Sequence, residues 1–423
     1  MEIDHASKTA TTSKPEKPDA FTRYQKFVVA VLAFLQFTII LDFMILAPLG
    51  AILMPALGIT TAQFGLVVSA YAFSAGASGL LAAGFADRFD RKKLLLFFYM
   101  GFILGTFLCG IAPTYNLLLA ARMVTGLFGG VIGSIVFAIT TDLFAFSMRG
   151  RVMGVVQTAF AASQVLGIPF GLYLSSRFGW HSIFLMIVAT SAAVGVVIFA
   201  YLKPIDGHLK VRVDRSAAHH FIDTLSRPRY LKAFATTALM SIGGFLMMPF
   251  SSAFSVNNLG ISLERLPMVY MCTGFCNILI GPLVGKLSDT IGKFKMFMIG
   301  SVMGMVMILI YTHLGITPIG MVILVSILMF TTISSRMISA SALMSAIPDP
   351  QHRGSYMSMS SSIQQVSGGI AAAAGGLIVV QTANGPLQNF DILGYVAIGA
   401  MIFTAIMMFF INRMVNEKRE AAL

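Results

Sequence analysis

Apolar residues in this chain come in twelve blocks separated by short polar breaks. Each block is roughly 20 residues long, and a helix of that length crosses a ~30 Å hydrocarbon layer. The blocks lie near 27–53, 63–85, 94–112, 116–140, 152–175 and 181–202, then near 232–256, 267–286, 296–312, 318–346, 356–380 and 392–412. A membrane β-barrel would instead show alternating segments of about 10 residues, so strands are not expected. Charged residues are 11 % of the chain. A soluble domain usually carries about 25 % and could not cover its surface with so few. The expectation is an all-α membrane protein of twelve transmembrane helices.

Basic residues orient the spans. Of the 29 Lys and Arg, 25 fall in the tails and in alternate connections on one side. Arg177 and Arg265 face the other side, and Arg122 and Arg336 lie within spans. This positive-inside bias predicts that both termini are cytoplasmic. The net charge of +12 therefore reports orientation and gives no reason to expect nucleic acid. Residues 1–26, without an apolar signal core, read as a disordered N-tail, and 413–423 as a C-tail. Short connections without targeting segments point to a bacterial cytoplasmic membrane. A monomer is expected. Cys109, Cys272 and Cys276 lie within spans without acidic or His companions, so core thiols are expected, with no metal site.

The longest polar break, 203–231, divides the spans into bundles at 27–202 and 232–412. The connection after span 2 reads Gly79-Leu-Leu-Ala-Ala-Gly-Phe-Ala-Asp87-Arg-Phe-Asp90-Arg91-Lys-Lys93. The connection after span 8 reads Gly281-Pro-Leu-Val-Gly-Lys-Leu-Ser-Asp289-Thr-Ile-Gly292-Lys293-Phe-Lys295. A second echo pairs Arg149-Gly150-x-x-Met153 with Arg353-Gly354-x-x-Met357. Two echoes at nearly one shift indicate a duplicated six-helix unit, as in the parallel repeats of one large class of secondary transporters.

Ionisable groups inside the lipid mark function by default. Asp42 lies 15 residues into span 1, and Arg122 six residues into span 4. At ~1.5 Å per residue both sit about 8–9 Å below the outer surface, so they can pair. Two readings stand: a static pair joining spans 1 and 4, or a proton site, since burial favours a neutral carboxyl and a nearby arginine the ionised one. Gly126, Gly130 and Gly133 read as close helix packing. Arg336 has no acid at its depth. It would meet an anionic substrate group or a partner across the midline, or bond to carbonyls and neighbouring serines. Gln36, Gln157, Gln164, Asn277, Gln364 and Gln365 add uncharged polar groups for a substrate cavity or for bonds between helices. In span 5, Gly167-Ile-Pro169-Phe-Gly171 predicts a bend, because proline frees a carbonyl and glycine permits close approach. No catalytic set, metal cluster or phosphate loop occurs, so neither an enzyme nor a resident cofactor is expected.

These motifs resemble the major facilitator superfamily, and within it the twelve-span drug:proton antiporter branch. Asp90 stands where that family usually has glycine, and Gly84 lies three rather than four residues before Asp87. The resemblance implies two pseudo-symmetric six-helix bundles and a cytoplasmic latch of Asp87, Arg88, Arg91, Asp142, Asp289 and Lys293. Asp87 would face the start of span 11 and Asp289 the start of span 5, while Arg91 would pair with Asp142. It also implies a proton role for Arg122-x-x-x-Gly126-x-x-x-Gly130. The span 5 motif is similar to the one that marks antiporters, so the expectation is proton-driven export of a small solute, with uptake by symport as the alternative.

Overall fold

The computed structural model describes residues 21–82, 88–210, 227–349, 353–381 and 385–420. Spans 1–4 are Arg23–Leu57, Thr61–Ala82, Arg91–Gly110 and Tyr115–Leu143. Span 5 is Phe146–Ala162 continued by Ile168–Phe178, and span 6 is His181–Tyr201. Span 7 is Pro228–Phe245 continued by Ser251–Asn257. Spans 8–12 are Leu266–Ile291, Lys293–Thr312, Ile319–Ser345, Arg353–Ile378 and Phe390–Glu420. Among the described residues, eleven of these helices are long and apolar enough to cross a membrane. The exception is span 11, which carries serines along its length and the pair Gln364 and Gln365. It packs mainly between spans 2 and 7, so protein rather than lipid takes much of its surface.

The duplication seen in sequence recurs in the packing. Span 4 packs on spans 2 and 3, span 1 on span 5, and span 3 on span 6. In the second half, span 10 packs on spans 8 and 9, span 7 on span 11, and span 9 on span 12. Each contact has its counterpart six helices later.

Both ends differ from the expected tails. Span 1 starts at Arg23 rather than 27, because Thr22 and Gln25 form a capping box. The Gln25 N–H donates to Thr22 Oγ1 at 3.2 Å, and the Thr22 N–H donates to Gln25 Oε1 at 3.0 Å. Span 12 continues through the expected C-tail to Glu420, stiffened by an Arg413–Glu417 pair one turn apart. Lys418 there donates to Ile347 O at 3.0 Å and pairs with Asp349 at 3.2 Å. Asp349 also pairs with Arg229 and with Arg227, tying the end of span 10 to the start of span 7. Burial alone would push the Asp349 carboxyl up. The Lys418 ammonium and the Arg229 guanidinium outweigh it and hold the carboxyl below its usual range.

Two spans are broken. In span 5 the Ile168 N–H reaches back to Ser163 O, making a π-helical turn over Ser163–Gly167 immediately before Pro169. The expected bend at 167–171 thus begins earlier in the chain. Span 7 breaks into a short 3₁₀ turn at Met248–Phe250, where Pro249 withholds a donor. One small antiparallel pair, β1 (Val380–Gln381) with β2 (Leu387–Gln388), departs from the all-helical expectation. Asn258 at the end of span 7 fixes it by accepting from the Leu387 N–H at 2.8 Å and donating to Leu387 O at 2.9 Å.

Span 1 begins and span 12 ends on one face of the molecule, here the termini face; the opposite one is the far face. The halves meet along spans 2 and 11, along spans 1 and 7, and along spans 5 and 8. Hydroxyls stitch the first two seams: Ser69 Oγ donates to Gly369 O at 2.7 Å and Ser252 Oγ to Ala47 O at 2.9 Å. The third seam is partial. The part of span 5 nearer the far face packs on span 8, whereas Phe146–Ala162 barely touches it. Among the described residues, a Cβ at Gly150, Gly154, Gly281 or Gly285 would have no neighbour within 4 Å. The halves therefore part between spans 5 and 8 on the termini face.

Candidate functional site

Small residues on span 4 let two neighbours come close. A Cβ at Gly126 would lie 2.4 Å from Tyr71 O, and one at Gly130 would lie 2.5 Å from the Ala75 Cα, both on span 2. On the span 3 side, a Cβ at Gly105 would lie 2.6 Å from the Thr125 N. Only glycine admits this packing. Gly126 and Gly130, two of the three glycines expected to pack, meet span 2 in this way. Gly133 differs: among the described residues its Cβ position meets nothing within 4 Å.

Inside this packed shell, Arg122 Nη1 donates to Asp42 Oδ2 at 2.7 Å, and the two side chains are 1 % and 0 % exposed. Thr106 of span 3 donates to Asp42 Oδ1 at 3.2 Å. The guanidinium lies over the Tyr71 ring, 4.6 Å from its centroid. Its Nε is buried without a hydrogen-bond partner. Four spans thus surround one carboxylate. The pairing follows from the depths read in sequence; the Thr106 and Tyr71 contacts do not. Thr106 lies 12 residues into the apolar block 94–112, about 18 Å along its axis, within one turn of the ~22 Å of Asp42 counted the same way. That depth is the signal by which it could have been found. Tyr71 carries no such signal.

A second polar group joins the halves. Asn277 of span 8 donates from Nδ2 to Gln164 Oε1 at 3.1 Å, and Ser334 of span 10 donates to Asn277 Oδ1 at 2.6 Å. Gln164 belongs to the π turn. A Cβ at Gly274, one turn from Asn277, would lie 3.0 Å from the Val165 side chain. Gln157 is exposed on the open stretch of span 5, and Gln36, Gln364 and Gln365 are half-buried. Gly167 and Gly171 pack at Leu41 and Ile183, with Pro169 between them at the start of the second segment of span 5.

The latch residues divide. Arg91 Nε donates to Asp142 Oδ2 at 3.0 Å. Asp289, 73 % exposed, pairs with Lys293 on the following turn, and among the described residues nothing lies within 4 Å of the Cβ position of Gly150. Its implied contact with span 5 is thus not formed, because spans 5 and 8 stand apart at that end. Arg88 is exposed, and Asp87 lies outside the described residues.

The model of the Major Facilitator Superfamily matches residues 32–373. The chain belongs to this superfamily. The uncharacterized MFS-type transporter YceJ of Bacillus subtilis (strain 168) is 28 % identical over 265 residues, 62 % of this chain and 67 % of that protein. The uncharacterized MFS-type transporter YbcL of the same organism is 24 % identical over 347 residues, 82 % of this chain and 86 % of that protein. Multidrug resistance protein 3 of that organism is 32 % identical over 156 residues, which are 37 % of this chain and 30 % of that protein. Among solved structures, a bacterial homologue of the human lysosomal transporter Spinster, inward-facing and unoccupied, superposes with a TM-score of 0.70 at 15 % identity. That match covers 94 % of this chain and 99 % of that one. The nucleoside transporter NupG gives 0.72 at 15 % identity, over 92 % and 99 %. At such identities the shared property is the fold.

Proposed function

We propose that this membrane transporter exports a small solute in exchange for protons, with Asp42 and Arg122 as the coupling pair. The observation that carries this reading is the fully buried pair itself, with Thr106 on the second carboxylate oxygen. A pair held so far from water costs several kcal/mol in desolvation, and apolar residues would fill the space at less cost. A proton on Asp42 removes the charge that Arg122 answers, so loading favours a shape in which the guanidinium reaches water or another partner. Release restores the pair. Coupling of this kind needs no resident cofactor; the proton gradient drives it.

The loop charges favour a cytoplasmic termini face in a bacterial inner membrane, which makes the far face external. The described shape is then the inward-facing one, sealed outside and parted between spans 5 and 8 inside. Export as the direction rests on the Gly167-Ile-Pro169-Phe-Gly171 motif and on a partial relative named for multidrug resistance. The transporter works in this reading as a monomer on drug-like or metabolite solutes.

Everted vesicles test it. They are energised to an acid interior and given cationic, neutral and anionic solutes while the gradient is followed. Partial collapse by some solutes in the wild type, abolished in Asp42→Asn, is the expected result. Solute-driven proton movement of the opposite sign would assign symport instead. No proton movement with a solute that the wild type is shown to transport would reject proton coupling, whereas silence across the panel would point to symport, facilitated diffusion or a narrow substrate outside it.

A further inference from the structure

The second half holds a buried arginine that, among the described residues, no acid answers. Arg336, 7 % exposed, sits on span 10 nine residues before its end at Ser345. That places it ~14 Å along the helix from the termini face. Its Nε donates to Ser301 Oγ of span 9 at 3.2 Å. Ser301 passes its own hydrogen to Phe297 O at 2.8 Å, so that hydroxyl positions the guanidinium and has no further hydrogen to give. The Phe297 ring lies 5.6 Å from the guanidinium carbon. Nη2 is buried and makes no hydrogen bond.

Asp42 is the one acidic residue lying well within a span, and it is committed to Arg122. The remaining Asp and Glu belong to connections, tails and span ends. Arginine cannot shed its proton, and a bare charge at such depth costs several kcal/mol. Among the described residues, no carboxylate supplies the compensating charge.

The surroundings suit an anion. Ser339, one turn beyond Arg336, shares a 3.2 Å hydrogen bond with Ser288 of span 8, and both are buried. Two hydroxyls sharing one bond keep one hydrogen to give. Ser288 in turn lies one turn from Gly285, whose Cβ position is empty on the parted face of span 8. Buried donors without an opposing carboxylate, one turn from the parted face of span 8, make a site for one negative charge. A dianion would leave a net buried charge and fits less well.

We propose that Arg336, steadied by Ser301 and flanked by the Ser288–Ser339 hydroxyls, binds a monoanionic group, a carboxylate or a halide, entering from the termini face. The carboxylate is either that of the transported solute, which rests on the export reading above, or that of a free small anion.

The test uses the full chain in lipid nanodiscs, with no proton gradient, so that failure of the antiport reading leaves it intact. Thermal unfolding is followed against sodium acetate, benzoate or chloride, balanced to constant ionic strength with sodium sulfate. The wild-type midpoint should rise saturably by a few degrees with at least one of the three. Arg336→Gln should abolish the rise, Arg336→Lys should weaken the apparent affinity about tenfold, and Ser301→Ala should weaken it less. Superimposable wild-type and Arg336→Gln curves would overturn the proposal. Should Arg336→Gln fail to fold, unchanged affinity in both Arg336→Lys and Ser301→Ala overturns it. Counterflow of labelled benzoate into proteoliposomes separates the sources. Counterflow lost in Arg336→Lys assigns the site to a transported carboxylate, whereas binding without counterflow assigns it to a free anion.

Discussion

Asp42 and Arg122 are worth more to each other than either is to the fold. Removing one partner of a buried pair typically costs about 3–5 kcal/mol, because the other charge is left stranded, while replacing both can be neutral. Asp42→Asn and Arg122→Gln should therefore each lower the thermal stability of the purified protein. The double variant, whose two amides can still bond each other and Thr106, should recover most of the loss without recovering proton movement. Additive losses in unfolding scans would show that the two side chains are not energetically coupled. The pairing could be read from sequence because one physical quantity, depth along a helix, locates both residues in the same layer. Of their immediate contacts, Thr106 shares that depth, but the contacts themselves could not be read. The Tyr71 ring and the Thr106 hydroxyl reach the pair only because Gly105, Gly126 and Gly130 admit neighbouring backbones, and sequence does not say which neighbour a small residue admits. Asp289 marks the same limit from the other side, since its partner depends on which way the halves are tilted.

Helices were legible in this chain to the extent that hydropathy alone determined them. Breaks within helices were not. Pro169 announced a bend, yet the π turn lies before it, over Ser163–Gly167. Pro249 interrupts span 7 at Met248–Phe250, although the apolar run continues through it unchanged. The π turn has a consequence that an unbroken span 5 would lack. An extra residue per turn rotates the following side chains, and here Gln164 meets Asn277 across the halves. Hydrogen bonds between membrane helices average about 0.6 kcal/mol, so the one bond of the Gln164–Asn277–Ser334 string that crosses between the halves, Gln164–Asn277, holds them by about 0.6 kcal/mol, or roughly threefold in population. Asn277→Leu should loosen this seam while leaving each bundle intact. Spin labels at Gly150 and Thr290, with the native cysteines replaced, should then report a shifted distance distribution. An unchanged distribution would mean that the string follows the motion of the halves rather than restraining it.

Pseudo-symmetry makes the pair of spans 2 and 11 equivalent to the pair of spans 8 and 5, yet the two seams differ. Spans 2 and 11 stay together from Thr61 at the far face to Gly79, whose Cβ position lies 3.2 Å from Ser362 Oγ. Spans 5 and 8 touch only towards the far face. A rocking motion that opens the far face must therefore break the longer seam, and the barrier to doing so lies in backbone contacts that side chains cannot relieve. A Cβ at Gly65 would come 2.6 Å from Ala372 O, and one at Gly376 would come 2.6 Å from Thr61 O. Gly65→Val inserts a branched side chain where only a hydrogen fits, so the two helices must separate at the far face. The expected result is a larger far-side distance between spin labels at Ala56 and Gln388, with a gain of about tenfold in the far-open population if ~1.4 kcal/mol of seam contact is lost. Gly133→Val, on a span 4 glycine with open space around its Cβ position, is the matched control and should leave that distance unchanged. If Gly65→Val keeps the wild-type distance and stability, the seam is plastic, and the halves are held closed by spans 1 and 7, where Ser252 meets Ala47 O.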